Sequence, residues 1–204
     1  MDWLGALAQI HGLRLSVVGG AVRDRLLGRN TPDKDLDLVV EGEGSWPAIQ
    51  LLKLIENQEL PEGFQLNQSQ SFETFGTAQL QLDTPAGRLL CDLSSARSER
   101  YAFPGAHPEV QPTDLAGDLK RRDFSINAIA EQLPLGSSPL LDPYAGEADL
   151  KAGQLKLLHP LSLQDDPSRL LRGVRYGARL KLQLAAETKV QVDSTLASWP
   201  WPDD

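Results

Sequence analysis

The chain contains 204 residues, of which 41% are apolar and 24% are charged. This composition is that of a globular protein and excludes collagen, coiled-coil and disordered chains. The length suffices for one domain and part of another, and no apolar run approaches the roughly 20 residues that a membrane span needs.

Charge and cysteine content restrict the function further. The 20 Lys and Arg residues against 28 Asp and Glu give a net charge of −8, whereas nucleic-acid-binding proteins are usually basic. Composition alone therefore favours an enzyme or a metal-binding protein, and an RNA-binding protein would have to concentrate its positive charge on one surface. The single Cys91 excludes a disulfide framework, and the first residues lack the basic region of a secretory signal. We predict a soluble, cytoplasmic protein with no membrane partner.

The N-terminal part of the chain predicts a strand, a helix and a second strand. Residues 13–18 alternate and then become apolar, which predicts a strand that ends at Gly19. A helix is expected over 21–27. Residues 30–33, Asn-Thr-Pro-Asp, are typical of a turn. Residues 34–40 then alternate acidic and apolar side chains, which predicts a strand with one polar and one buried face.

The middle of the chain predicts a helix over 48–55 and two strands, over 77–82 and 88–93. Residues 94–119 are irregular and contain prolines, so we predict a loop there. A further helix is expected over 122–130.

The C-terminal part contains the longest helical pattern of the chain, over 167–184. Two aspartates precede it as candidate caps, and a proline suits its first position. The pattern weakens afterwards, and the Trp-Pro-Trp-Pro sequence at 199–202 cannot continue a helix. A change of composition near 151–160 marks the expected start of a second, helical unit.

Asp35 and Asp37 are the strongest candidate catalytic residues. Side chains two apart on a strand point to the same side, so both carboxylates face together while Leu36 and Leu38 point into the core. Two such carboxylates repel each other unless a cation lies between them, and hard oxygen ligands suit Mg²⁺. In nucleotidyl transfer, metals of this kind activate an attacking hydroxyl and a leaving phosphate. An isolated pair of this kind more often marks a solvated strand face, so the neighbouring motifs determine whether these two aspartates are interpreted as catalytic.

A glycine pair lies shortly upstream of the two aspartates. Gly19 and Gly20 would let the backbone approach a phosphate, and the start of the following helix offers free N–H groups. Arg23 lies in the first turn of this helix and could hold the same phosphates with its fork of donors. The alternative is a tight turn that binds no ligand, because such a turn would have the same sequence.

A third cluster places two arginines beside Asp123 and Asn127. On the predicted helix these two residues share a face at i, i+4, while Phe124 and Ile126 pack inward. The preceding Arg122 suits contact with a triphosphate, and the Asp and Asn suit a ribose. A surface cluster of salt bridges remains the alternative.

The long helical pattern carries a stripe of arginines. At about 100° per residue, Arg172, Arg175 and Arg179 lie within about 60° of one another, with Arg169 about 60° further round. Arginine suits bidentate recognition of phosphates or base edges. The apolar residues on the other side, which we expect to face the core, are Leu170, Leu171, Val174 and Ala178.

Four motifs, in order, resemble those of class II tRNA nucleotidyltransferases, the family of bacterial CCA-adding enzymes and poly(A) polymerases. Residues 18–29 (VGGAVRDRLLGR) with 35–42 (DLDLVVEG) are similar to the first motif of this family. Residues 121–128 (RRDFSINA) resemble the second motif. Residues 142–150 (DPYAGEADL) resemble the third, a hinge between head and neck, and residues 165–175 resemble the fourth. The ordered set of four carries the resemblance.

The resemblance implies a role for each matching residue. Asp35 and Asp37 would hold the catalytic Mg²⁺ ions and activate the 3′-hydroxyl of an RNA. Asp166 and Arg169 would pair with the Watson–Crick edge of ATP or CTP, because a carboxylate accepts from the exocyclic amino group that A and C share. The implied nucleotide-binding residues are Gly20, Arg23 and Arg122 with the adjacent Gly19 for the triphosphate, Asp123 and Asn127 for the ribose, and Asp166 and Arg169, supported by Arg172 and Arg175, for the base.

The resemblance also implies the fold and its partners. We expect an α+β polymerase-β-like nucleotidyltransferase head, a mixed sheet with flanking helices, over 1–151, followed by the beginning of an all-α neck over 152–204. Family members continue into body and tail domains that hold the tRNA. These are absent here, so we expect a fragment or a separate RNA-binding chain. The expected partners are ATP, CTP and the tRNA 3′ end, and the oligomeric state is left open.

The sequence departs from the family pattern at three positions and offers one extra carboxylate. Asp165 stands where the fourth motif usually has Glu, which could alter base selection. Ser125 stands where Thr is commoner, and Ser168 where Leu is commoner. Asp92 is a possible third carboxylate, although the end of a core-flanking strand is an equally good interpretation.

Three functions come into question for a chain with these motifs. We expect template-independent transfer of CMP or AMP to a tRNA 3′ end, with CCA addition, A addition and poly(A) synthesis left open. Residues 75–78 (FGTA) favour the CCA- and A-adding branch. A phosphatase with Asp35 as nucleophile is disfavoured, because polar residues precede Asp35 and Val39 stands where that class has Thr. A nucleotide-binding module without turnover is compatible with the sequence.

Overall fold

The structure is a computed structural model of the chain and describes residues 1–29, 35–44, 46–103 and 105–198. The turn predicted at 30–33 and the Trp-Pro sequence at 199–202 lie outside the described residues.

The described part of the chain contains ten strands and eight α-helices. The strands are β1 (Arg14–Val18), β2 (Asp35–Glu41), β3 (Gln65–Phe72), β4 (Thr77–Thr84), β5 (Gly87–Ser95), β6 (Arg97–Arg100), β7 (Glu109–Pro112), β8 (Ala130–Gln132), β9 (Gln154–Leu155) and β10 (Gln183–Leu184). The helices are α1 (Asp2–Ile10), α2 (Gly20–Leu26), α3 (Pro47–Glu56), α4 (Leu115–Lys120), α5 (Gly146–Lys151), α6 (Ser162–Asp165), α7 (Ser168–Leu180) and α8 (Ala186–Ser198).

Six of the strands form one mixed sheet in the spatial order β3-β4-β5-β2-β1-β8. Strands β2 and β5 are parallel, and every other neighbouring pair in this sheet is antiparallel. The mixed α+β fold expected from the sequence is therefore confirmed. Strand β2 alternates as its sequence predicts, because Leu36 and Leu38 are buried while Asp35 and Asp37 are exposed.

One face of the sheet is covered by helices. Leucines such as Leu15 on β1, Leu38 on β2 and Leu93 on β5 pack there against Leu4 of α1 and Leu51 of α3. The spacing of apolar residues in these helices explains the arrangement, since each presents one apolar side to the sheet.

The opposite face of the sheet is covered over only half its width. Over β1, β2 and β8, a second apolar cluster includes Val18, Val39 and Ala130 and packs against Leu115 and Leu119 of α4. Over β3, β4 and β5 the side chains on this face are mostly exposed. We call this uncovered half the open face.

Two predictions for the region around the second motif are wrong. Residues 94–119 are not a loop, because they contain the antiparallel pair β6–β7 and helix α4. The helix predicted over 122–130 is instead a short 3-10 helix, Ser125–Asn127, followed by β8. Long-range backbone bonds override the local pattern in this segment: Ser125 N–H donates to the carbonyl of Lys156.

The C-terminal part also differs from the expectation. Helix α7 ends at Leu180 because Lys181 adopts a left-handed conformation with φ of 59°. Helix α8 was not predicted. Leu171 and Val174, expected to face the core, are 75% and 73% exposed. A third apolar cluster joins Phe124 and other residues of the first unit to α7 and its neighbours.

Candidate active site

A cavity of about 590 Å³ lies between the central sheet and the N-terminal half of α7. It gathers residues from all four regions that the sequence singled out for chemistry: the turn after β1, strand β2, the segment that follows α4 and the segment that follows α6. The predicted site residues that line it are Gly19, Gly20, Asp37, Arg122, Asp123, Asn127, Asp166, Arg169 and Arg172.

Three carboxylates face the same side of the sheet beside this cavity. Asp37 on β2 pairs in register with Asp92 on the parallel strand β5, and Asp35 lies two residues before Asp37. Partial burial at the cavity wall raises the pKa of Asp37; the Arg122 guanidinium lowers it, while the neighbouring carboxylates of Asp92 and Asp35 raise it further. The mutual repulsion is that of a site prepared for a cation.

The oxygen donors of these carboxylates suit Mg²⁺ chemically. In the part of the chain that the structure describes, no three His, Cys, Asp or Glu side chains are close enough together to hold a metal ion by themselves. Magnesium sites in nucleotide-processing proteins usually complete their shell with water and substrate phosphates, so a carboxylate pair fits such a site.

Gly19 explains why the turn after β1 can approach the site so closely. Its φ of 69° is one that side chains rarely adopt, and a Cβ there would lie 3.3 Å from Arg122 Nη1 and 3.5 Å from Asp37 Oδ2. A side chain at position 19 would therefore contact both the carboxylate and the guanidinium, and glycine keeps this space open.

A buried carboxylate, that of Asp118, holds Arg122 in position. Asp118 is fully buried and accepts hydrogen bonds from Arg122 Nη2 at 3.0 Å and from Arg121 Nη2 at 2.7 Å. Burial alone would raise the pKa of Asp118, but the two guanidinium groups outweigh it and hold that pKa below its usual range. Arg121 also donates to Glu99 at 2.8 Å, which extends the network along the cavity wall.

Several arginine nitrogens around the cavity are buried without a hydrogen-bond partner among the described residues. A buried charged donor without a partner is costly, so native proteins rarely leave one unless a ligand completes it. These atoms are Arg97 Nε, Arg122 Nε, Arg169 Nε, Arg169 Nη1 and Arg172 Nε. All four arginines line the cavity, which therefore has the donors of an anion site.

Asp123 and Asn127 belong to a chain of polar contacts that connects the head to α7. Asp123 Oδ1 accepts from Asn127 Nδ2 at 2.9 Å, and Asn127 Oδ1 accepts from Arg23 Nη1 at 2.6 Å. Arg23 Nε donates to Asp24, whose other oxygen accepts from Arg179 on α7 at 2.8 Å. The predicted proximity of Asp123 and Asn127 is thus realised without the predicted helix.

The fourth motif turns its acidic and basic groups toward the cavity. Asp166 accepts from the backbone N–H of Ser168 at 2.9 Å, which begins α7, and its other oxygen accepts from Arg172. Arg169 donates through Nη2 to the carbonyl of Arg121 at 2.6 Å. Nε of Arg169 lies 3.8 Å from Asp166 Oδ2, and Nη1 has no hydrogen-bond partner among the described residues.

Three predicted site residues do not line this cavity. Arg23 is only 3% exposed; its guanidinium is bonded to Asn127 and Asp24 and lies 5.4 Å from the ring centre of Tyr176. The geometry favours support of the cavity wall rather than the predicted phosphate contact. Arg175 points to solvent from α7, away from the lining residues, and Asp35 lies on the neighbouring open face.

Sequence reasoning missed the third wall of the cavity. Arg97, Glu99 and Tyr101 fell inside the predicted loop, yet they line the cavity, and Tyr101 donates to Glu99 at 2.7 Å. Burial and the Glu99 carboxylate raise the pKa of Tyr101, so its hydroxyl stays protonated. The alternation of polar residues in β6 was the available signal, but it is too short to predict a strand.

The sheet order and the carboxylates beside an arginine-lined cavity define a polymerase-β-like nucleotidyltransferase head. The family model described as "Poly A polymerase head domain" matches residues 15–156. The chain belongs to this family, which unites the tRNA nucleotidyltransferases and poly(A) polymerases that the four motifs resemble.

Curated relatives are tRNA nucleotidyltransferases. The chain is 41% identical over 178 residues to the "A-adding tRNA nucleotidyltransferase" of Aquifex aeolicus, and the match covers 87% of this chain and 20% of that protein. It is 43% identical over 198 residues to the "CC-adding tRNA nucleotidyltransferase" of Deinococcus radiodurans, covering 96% of this chain and 49% of that protein. The chain thus spans between a fifth and a half of these relatives.

Solved structures agree in fold. A CCA-adding enzyme in an apo form is 33% identical with a TM-score of 0.79, covering 96% of this chain and 43% of that chain. A tRNA nucleotidyltransferase complexed with a primer tRNA and an incoming ATP analog is 35% identical with a TM-score of 0.74, covering 95% of this chain and 50% of that chain. Within the described ranges, no helix has the length and apolar character needed to cross a bilayer.

Proposed function

We propose that this chain is the catalytic part of an enzyme that transfers CMP or AMP from CTP or ATP to the 3′ end of tRNA without a template. The observation that carries the proposal is the set of unpartnered arginine nitrogens around a cavity that Asp37 borders. A nucleoside triphosphate supplies the acceptor oxygens that these donors lack. The chain's similarity to A-adding, CC-adding and CCA-adding enzymes supports the tRNA end as acceptor.

Different residues bind the phosphates and the base of the nucleotide. Arg122 and Asp37 both lie next to Gly19, so Arg122 binds the phosphates next to the carboxylates. The Arg169 guanidinium donates to ring acceptors of the base, and Asp166 accepts from the amino group of the base. Arg172, already bonded to Asp166, keeps that carboxylate in place.

Asp35 and Asp37 would hold Mg²⁺, with Asp92 as a third carboxylate on the same side. When bound, the ion supplies neutralisation of the triphosphate and a lower pKa for the attacking 3′-hydroxyl. Asp118 keeps Arg122 oriented through its hydrogen bond, and Tyr101 and Glu99 close the far wall against water. We place this reaction in the cytoplasm, where tRNA and a reduced Cys91 are compatible.

The test is Mg²⁺-dependent incorporation of labelled CTP and ATP, supplied separately, into tRNA transcripts that lack CCA or end in CC. We expect incorporation by the unmodified chain and its loss in the Asp35→Ala, Asp37→Ala double variant. Asp193→Ala, an exposed position on α8, is the matched control and retains activity. The transcript and nucleotide accepted distinguish CCA, CC and A addition, and unlimited AMP addition identifies poly(A) synthesis.

Nucleotide binding separates the proposal from a module without turnover. Arg122→Ala should weaken CTP binding about tenfold or more, because a charged, partly buried phosphate contact is worth roughly 1.5–3 kcal/mol. Arg100→Ala, an exposed arginine on β6, should leave it unchanged. Binding of CTP without any incorporation would refute catalysis by this chain and leave nucleotide binding alone.

A further inference from the structure

The open face of the sheet carries glutamines in register with the carboxylates. In the first row, Gln70 on β3 pairs with Gln79 on β4, which pairs with Asp92 on β5, which in turn pairs with Asp37 on β2. Paired residues of neighbouring strands project to the same side of a sheet. One line of side chains therefore runs from Asp37 to the edge of the sheet.

A second row runs beside the first. It contains Gln68 on β3, Gln81 on β4, Leu90 on β5 and Asp35 on β2. Because each row is two residues from the other along every strand, both lie on the open face. We call Gln68, Gln70, Gln79 and Gln81 the amide rows.

The amides of these rows are available to a ligand. Gln68, Gln70 and Gln79 are exposed, Gln81 is partly exposed, and none of the four side chains makes a hydrogen bond to another described residue. Both rows border one shallow cavity of about 290 Å³ that also reaches Asp35 and Asp92. Phe72 lies on the same face, 37% exposed, two residues beyond Gln70.

The chemistry of the rows fits single-stranded RNA. An amide donates and accepts, so it can bind base edges, ribose hydroxyls and phosphates, and it adds no negative charge that would repel a polyanion. An exposed aromatic ring offers a surface on which an unpaired base can stack. These features adjoin the carboxylates on the side opposite the arginine-lined cavity.

We propose that the amide rows bind the unpaired 3′-terminal nucleotides of the RNA that is extended. The inference rests on the proposed function, in which the triphosphate fills the arginine-lined cavity. The attacking 3′-hydroxyl must then reach Asp35 and Asp37 from the side away from this cavity. The rest of the RNA strand would therefore run across β5, β4 and β3. The rows lie along that path and give each of the last nucleotides a neutral hydrogen-bonding partner.

The test compares the Michaelis constants for RNA and for nucleotide. The double variant Gln70→Ala, Gln79→Ala should raise the KM for a tRNA transcript ending in CC about 25-fold, since each of the two lost hydrogen bonds weakens binding about fivefold. The KM for the nucleotide should not change. Gln9→Ala, an exposed glutamine on α1 at the covered face, is the matched control. An unchanged KM for the transcript would overturn the proposal.

A charged variant distinguishes an RNA path from a merely solvated face. Gln70→Glu, Gln79→Glu keeps the size of both side chains and adds two negative charges. It should weaken RNA binding more than the alanine pair does, with the difference shrinking at high salt. Equal binding by the alanine and glutamate variants, with unfolding curves like that of the unmodified chain, would contradict the proposal.

Crosslinking keeps this inference separate from the proposed function. A transcript with 4-thiouridine as its last unpaired nucleotide, irradiated with the unmodified chain, should attach to peptides from β3 or β4. If the chain incorporates no nucleotide but forms this crosslink, the proposed activity fails while the RNA site stands. Crosslinks confined to other segments overturn the site even if incorporation is observed.

Discussion

The substitution Asp118→Asn tests how Arg122, the proposed phosphate-binding arginine, is held in place. The carboxylate of Asp118 is fully buried and accepts from Nε and Nη2 of Arg121, at 3.0 and 2.7 Å, and from Nη2 of Arg122 at 3.0 Å. An amide retains the shape of the side chain but has one accepting oxygen, so its NH₂ group would face one of the two guanidinium groups.

The expected loss of stability follows from these contacts. A hydrogen bond to a charged group contributes about 1.5–3 kcal/mol, and breaking a buried ion pair costs about 3–5 kcal/mol. Glu99 still accepts from Arg121 in the variant, which compensates for part of the loss. We therefore expect the free energy of unfolding to fall by about 3 kcal/mol, and the affinity for CTP to fall about tenfold because Arg122 is released.

Urea unfolding followed by tryptophan fluorescence measures the first quantity, and calorimetric titration with CTP measures the second. Asp83→Asn is the control: Asp83 forms an exposed pair with Arg88 at 3.1 Å, and exposed pairs of this kind contribute little to stability. If Asp118→Asn were no more destabilising than Asp83→Asn, the buried carboxylate would not be what positions Arg122. A stability loss with unchanged CTP affinity would refute the link to the site.

Four further predictions follow from described features. The pKa of Asp118 is lower in the folded chain than its ordinary value, so the ionised carboxylate stabilises the fold above about pH 4 and this stabilisation is lost as the pH falls further. The free energy of unfolding of Asp118→Asn, measured in urea at a series of acid pH values, should therefore decrease less with falling pH than that of the unmodified chain. Gly19→Ala should cost about 1–3 kcal/mol and reduce incorporation, because its φ of 69° strains alanine and the new methyl group meets Arg122; circular dichroism and the incorporation assay check both. Burial raises the pKa of the Cys91 thiol to about 12, so Ellman's reagent should react only when the chain unfolds, and rapid labelling of the native chain would contradict a buried β5. Asp114→Ala should destabilise by about 1 kcal/mol in urea unfolding, since Asp114 accepts from the N–H of Gly117 and caps α4; no change would mean that the cap is dispensable.

Side-chain orientation could be predicted best from the sequence where a local pattern is compatible with only one kind of secondary structure. The alternation of residues 35–38 specified which side chains of β2 face the core, and the register with β5 adds Asp92 to the same face. The Asp92 carboxylate raises the pKa of Asp37, and its role as a third carboxylate of the site stays a prediction.

The sequence predicted least where distant segments determine the backbone. The segment 122–130 has helical spacing, but Ser125 bonds to Lys156, and β8 pairs with β1, so tertiary contacts replaced the helix. Arg23 illustrates the same limit for side chains: its first-turn position suggested a phosphate contact, whereas its partners Asn127 and Asp24 are visible only in the folded chain.

The parallel pairing of β2 with β5 also determines when the carboxylates of the proposed active site come together during synthesis. Asp37 meets Asp92 only after the intervening helix α3 and the β3–β4 hairpin have been made, because parallel strands require a crossover between them. The edge strand β8 joins β1 later still, and Arg122 arrives with it. Pairings between segments so far apart along the chain close slowly, and the proposed nucleotide site is complete in a nascent chain only after Arg172 on α7 has emerged from the ribosome.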